Sequence, residues 1–185
     1  MSVHAIQFLV PVLQPKSSDV LNPNDADVWN NKGVSLYNLG KHNEAIEYYD
    51  KALEIDPKYA DAWTTKGIAL AILGKSDEAI KNFDKALEID SKHTKAWYNK
   101  GYALNNLGKY NEAIEYIDKA LEKDPNDADA LHNKGFALNY LGKYNEAIEC
   151  FNKALKIDPD NANTLSNSII NKLTLKLLEE RSDGK

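Results

Sequence analysis

Four histidines and one cysteine are the side chains of this 185-residue chain best suited to metal binding or covalent chemistry, and their spacing speaks against both. His4, His42, His93 and His132 fall at unrelated points of the sequence pattern, so no two share a helix face at metal-ligand spacing. Cys150 lies beside Phe151 with no histidine at helical spacing, which reads as a surface or half-buried thiol rather than a nucleophile. A single cysteine also excludes an internal disulfide and a multi-cysteine zinc site. The glycines do not cluster into a phosphate-cradling loop; each fits a turn or a close helix contact. No catalytic, cofactor-binding or metal site is expected.

Composition narrows the class. With 43% hydrophobic and 28% charged residues, the chain has enough apolar side chains for one folded domain. A formal net charge of −5, with Lys and Glu interleaved, argues against a general nucleic-acid binder, because phosphate neutralisation needs clustered cations. The stretch from Ala5 to Leu13 is apolar, but it has no basic flank, contains Pro11 and is too short to span a bilayer. Neither a signal peptide nor a membrane anchor is expected, and a cytoplasmic location is the simplest reading.

The elements that position these side chains follow from a repeat. Shifted by 34 residues, Asn30-Asn31-Lys32-Gly33 returns as Thr64-Thr65-Lys66-Gly67, Tyr98-Asn99-Lys100-Gly101 and His132-Asn133-Lys134-Gly135. Four units result, covering 26–59, 60–93, 94–127 and 128–161. Each reads as two helices. The first carries an aromatic or Leu, a Gly and a Leu at helical spacing, as in Trp29, Gly33 and Leu36, and stops at Gly40, Gly74, Gly108 or Gly142. The second carries Ala45, Ile46, Tyr49, Ala52 and Leu53 on one stripe, with Glu44, Glu47, Lys51 and Glu54 on the other. Pro57, Pro125 and Pro159 end it, while Ser91 replaces proline in the second unit and suggests a looser or more continuous junction.

Gly33, Gly67, Gly101 and Gly135 are expected to face Ala45, Ala79, Ala113 and Ala147 across each hairpin, since a mid-helix glycine costs about 1 kcal/mol relative to alanine and needs a packing reason. Trp29, Trp63, Trp97, Tyr49, Phe83 and Phe151 are expected to fill the space between units.

This succession of Trp, Gly, Leu, then Ala, aromatic, Ala and Pro over 34 residues resembles the tetratricopeptide repeat family across about three quarters of the chain. Departures are mild: Leu131 and Ile117 stand where aromatics are usual, and Lys precedes each first-helix Gly. The resemblance implies an all-α fold, a right-handed α-solenoid of helix-turn-helix repeats whose first helices line a concave groove. By register, that groove contains Asn31, Val34 and Asn38; Thr65, Ile68 and Ile72; Tyr98, Asn99, Tyr102 and Asn106; and His132, Asn133, Phe136 and Tyr140. Asparagine offers a donor and an acceptor to a peptide backbone, and Tyr and Phe supply apolar pockets.

Family members that clamp the acidic C-terminal tails of heat-shock chaperones place Lys and Asn in this groove. Here the Lys slots hold Asn30, Thr64 and Tyr98, and the paired Asn slots hold Val34, Ile68 and Tyr102, with only Lys95 and Asn99 similar to the third element. Tight capture of a terminal carboxylate is not expected.

The two ends differ from the repeats. Residues 1–25 read as an irregular segment, because Pro11 and Pro15 fall where a second helix of an earlier unit would lie. The segment either caps the first hairpin or lies as an extended apolar strand in a groove. Residues 162–181 read as a C-terminal capping helix, in which Leu165, Ile169, Leu173 and Leu177 form a stripe that covers the last unit, and 182–185 as a polar tail.

The expected function is a protein-interaction scaffold that holds an extended peptide or short helix of a protein partner. The alternative is a self-associating module, a homo-oligomer joined through the N-terminal segment or the C-terminal helix. Neither nucleic acid nor a membrane is an expected partner.

Overall fold

The computed structural model describes residues 24–183, with side chains described as far as Glu180. The expected N-terminal cap or strand, His4 and the run from Ala5 to Leu13 therefore lie outside the described residues, as do residues 184–185. Among the described residues there are nine helices: α1 Ala26–Asn38, α2 His42–Ile55, α3 Ala60–Ile72, α4 Ser76–Ile89, α5 Thr94–Asn106, α6 Tyr110–Lys123, α7 Ala128–Tyr140, α8 Tyr144–Ile157 and α9 Ala162–Asp183. The last runs two residues into the expected polar tail. The first eight pair as four hairpins.

Each hairpin turn is built the same way. Gly40 takes φ +76°, which an L side chain rarely adopts, and this lets Lys41 N–H donate to Leu36 O at 2.9 Å while Gly40 N–H donates to Tyr37 O at 2.9 Å. The same closure recurs from Lys75 to Leu70, Lys109 to Leu104 and Lys143 to Leu138, each at 2.9 Å.

The second helices stop on an aspartate rather than on proline. Asp56, Asp90 and Asp124 leave the helical region, and their carboxylates accept from the backbone N–H of Lys58, Lys92 and Asn126 at 2.9, 3.0 and 3.0 Å. The unit with Ser91 therefore breaks like its neighbours, and α4 does not continue into α5.

Inside a hairpin, the glycine of the first helix meets a large side chain of the second. A Cβ on Gly33, Gly67, Gly101 or Gly135 would lie 2.5–2.6 Å from Tyr49, Phe83, Ile117 or Phe151. This corrects one expectation, since the glycine meets the ring or isoleucine before the alanine; Tyr49, Phe83 and Phe151 fill the hairpin interior, and Phe151 also belongs to the core on which Ile114 of the preceding hairpin packs. Those three are fully buried.

The chain forms two compact units, the first ending at His93 and the second beginning at Thr94. In the first, Ala52, Leu53 and Ala62 make a core that Trp29, Tyr59 and Trp63 cover. The Trp63 indole N–H donates to Pro57 O at 2.9 Å, and Lys66 pairs with Asp50 across the two hairpins at 2.5 Å. In the second, Leu138, Ala147, Cys150 and Phe151 form a core against which Ile114 packs, and Lys134 pairs with Asp118 at 2.6 Å. Cys150 is buried, not at the surface.

Helix α9 packs on α8, but not through the expected stripe. Thr164, Ser168 and Asn171 are the buried residues, whereas Leu165, Ile169, Leu173 and Leu177 are exposed. The reason lies in the repeat register. Thr164 stands 34 residues after Ala130 and Asn171 34 after Ala137, both fully buried small residues of α7, so α9 presents its small side chains where every first helix does. Polar pairs fix this orientation: Asn161 Oδ1 accepts from Thr164 N–H at 3.0 Å and caps the helix, and Ser168 Oγ lies 3.4 Å from Asn152 Oδ1, in the register of the Lys134–Asp118 pair.

Candidate binding face of the first helices

Of the fourteen residues expected in the groove, five are exposed: Asn31, Asn38, Ile72, Asn106 and Tyr140. Thr65, Tyr98, Tyr102, His132, Asn133 and Phe136 are half-buried, and Val34, Ile68 and Asn99 are buried. The expectation that all fourteen are open therefore needs correction. Val34 and Ile68 belong to the apolar core, and Asn99 turns back on its own helix, its amide donating to Lys95 O at 2.8 Å.

Several of the half-buried residues tie neighbouring first helices together. Thr65 Oγ1 lies 3.0 Å from Asn30 Oδ1 between α3 and α1, and the Asn133 amide donates to the Tyr98 hydroxyl at 3.0 Å between α7 and α5. His132 continues the series: its Nδ1 lies 2.7 Å from Thr164 Oγ1 of α9, and its ring sits 5.6 Å from Phe151. These registers hold the stack together before they offer anything to a ligand.

Burial sets the protonation of this row. Desolvation lowers the His132 pKa below its usual 6.5, so the ring is neutral at pH 7. It also pushes the Tyr98 hydroxyl well above the usual phenol range, with the charges of Asp129 and Asp127 adding to the effect. Asp129 is itself raised, first by burial and then by Asp127 and Asp158. Burial likewise raises the Cys150 thiol, which disfavours the thiolate.

In the second unit a run of rings reaches the surface at Tyr140. Phe136 and Tyr140, one turn apart on α7, have centroids 4.8 Å apart, and Tyr110 at the start of α6 stacks on Tyr140 at 4.9 Å and 18°. Tyr140 is 58% exposed. Asn106 and Tyr102 lie on the neighbouring α5. Tyr140 and its two ring neighbours make an aromatic cluster able to take an apolar side chain. Tyr110 was not among the expected groove residues because it belongs to a second helix; an aromatic at the first position of α6 and α8, Tyr110 and Tyr144, is the sequence signal for it.

The first unit is more polar on this side, with Asn31 and Asn38 on α1 and Ile72 at the end of α3. Apart from that face, a cavity of about 400 Å³ at the start of α1 and the α2–α3 junction is lined by Asn24, Asp25, Ala26, Asp27, Ile55, Asp56 and Tyr59, but Asp25 and Asp56 spend their carboxylates on backbone N–H groups. Among the described residues, no three His, Cys, Asp or Glu side chains gather as metal ligands, and no helix is long and apolar enough to cross a membrane.

Sequence models of the tetratricopeptide repeat match residues 26–59, 94–127 and 128–161, and two more models of the same repeat match 48–81 and 67–108. The chain belongs to the tetratricopeptide repeat family. Solved members share its all-α solenoid fold. YrrB, described as a tetratricopeptide protein with an unusual peptide-binding site, is 28% identical with TM-score 0.70, over 84% of this chain and 80% of that one. The first tetratricopeptide domain of Spaghetti (RPAP3), solved with the HSP90 peptide SRMEEVD, is 28% identical with TM-score 0.63, over 66% of this chain and 97% of that one. The MamA protein is 26% identical with TM-score 0.66, over 76% and 77%. No curated protein sequence matches the chain. The family and these neighbours support a role in binding protein or peptide partners.

Proposed function

We propose that this tetratricopeptide protein is a non-catalytic adaptor that holds an extended peptide or short helix of a partner protein on the faces of its first helices. The observation that carries the reading is the cluster of Tyr110, Phe136 and Tyr140, of which Tyr140 is exposed: rings already packed on one another lose little freedom when a ligand arrives. The peptide-bound neighbour and the peptide-binding site of YrrB support it. The recognition chemistry differs from carboxylate capture. Asn30, Thr64 and Tyr98 stand where a clamp needs lysine, so a ligand with an aromatic or aliphatic anchor suits this surface better than an acidic tail. A contact area this small fits micromolar binding, about −8 kcal/mol.

Peptides selected from a random displayed library against the full chain and titrated by fluorescence anisotropy test this. Micromolar binding that Tyr140→Ala weakens at least about tenfold is expected. Selected peptides that bind Tyr140→Ala and Asn106→Ala as well as the parent protein contradict the assignment.

A further inference from the structure

We propose that the outer face of α9 is a homodimer surface that pairs with α9 of a second copy. The face carries Leu165, Ile169, Ile170, Leu173, Leu177 and Leu178, each between 47% and 60% exposed, while the opposite, small polar face of the helix is spent on α8. Six half-exposed aliphatic side chains amount to on the order of 500 Å² on each copy, so a symmetric pair buries about 1,000 Å², the lower bound for a specific interface.

The repeat register says what kind of element belongs there. Ile169 stands 34 residues after Gly135, and in the complete hairpins that position is where the second helix makes its closest approach. A single Cβ at Gly135 already lies 2.6 Å from Phe151, so an isoleucine in its place leaves no room for an arm that brings a ring to that point. A helix that covers α9 must stand further off and meet large aliphatic side chains with its own.

A second α9 meets that requirement. Leu165, Ile169, Leu173 and Leu177 recur every four residues, and ridges of this spacing interdigitate with identical ridges in the commonest helix-packing class, which a two-fold pair satisfies on both sides at once. Electrostatics do not oppose it: Lys172 and Lys176 balance Glu179 and Glu180 along the helix. The two proposals are read by different measurements, self-association and peptide affinity, so each stands or falls on its own.

Sedimentation equilibrium of the full chain from about 1 to 300 µM tests the pairing. The expected result is a monomer–dimer equilibrium for the parent protein and for Ile89→Lys, a change at an exposed isoleucine on α4, with the dimer dissociation constant raised at least about tenfold in Ile169→Lys/Leu173→Lys at unchanged helical circular dichroism. A parent protein that stays monomeric throughout overturns the proposal. So does a dimer that survives the double substitution, or one lost equally to Ile89→Lys.

Discussion

The ring of Phe83 occupies the space that a methyl group on Gly67 would need: a Cβ there would lie 2.5 Å from Phe83 Cε1, and the ring is fully buried. Gly74, seven residues on, has the opposite problem, open space around it but φ +76°. The two glycines, one inside α3 and one just past its end, therefore fail for different reasons when they gain a side chain. Gly67→Ala is expected to cost about 1–3 kcal/mol by overpacking, and Gly74→Ala about 1 kcal/mol by backbone strain. Urea denaturation measures both. Adding Phe83→Leu should recover part of the Gly67→Ala loss and none of the Gly74→Ala loss.

Helix termination by aspartate gives a second expectation. Asp90 supports the α4 terminus through Lys92 N–H without any proline at position 91. Asp90→Ala should lower stability by about 0.5–1.5 kcal/mol, whereas Ser91→Pro, which restores the residue found at 57, 125 and 159, should raise it by about 0.4–1 kcal/mol. Thermal melts of the two variants should shift in opposite directions.

His132 makes stability depend on pH. Its folded pKa lies below 6.5 because burial disfavours the imidazolium, so below pH 6.5 the unfolded chain binds more protons than the folded one. Stability contributed by neutral His132 is complete above the unfolded value and is lost as pH falls through 6.5 toward the folded value. Urea midpoints measured between pH 7.5 and 5.5 should fall with pH in the parent protein and fall less in His132→Gln.

Cys150 should be slow toward thiol reagents. It is buried in the α7–α8 core and burial raises its pKa, so disulfide-exchange reagents at pH 8 should react at least about tenfold more slowly than with the urea-unfolded chain. Equal rates in the two states would contradict the packing of that core.

The hairpins were legible because glycine, alanine and a ring recur at one interval, and only stacked hairpins need all three. The end of the stack was not, since hydropathy and register disagree in α9: Leu165 and Ile169 look like core, but Thr164, Ser168 and Asn171 stand at the small-residue positions that meet the preceding hairpin. Register decides, because close helix approach needs small side chains more than apolar ones. The candidate site was legible in the same partial way. Asn106 and Tyr140 are open as the spacing implies, whereas Thr65, Tyr98, His132 and Asn133 are drawn into links between adjacent first helices, a use of polar groups that one helix taken alone does not reveal. Tyr110 was missed because it reaches the cluster from the opposite arm of a hairpin.

Amide chemical-shift mapping of the ¹⁵N-labelled chain with a selected peptide measures the binding face directly. Perturbations should gather on Tyr102, Asn106, Tyr110, Phe136 and Tyr140; shifts gathered instead on the exposed sides of the second helices, around Glu115 and Lys119 or Glu149 and Lys153, would contradict the assignment.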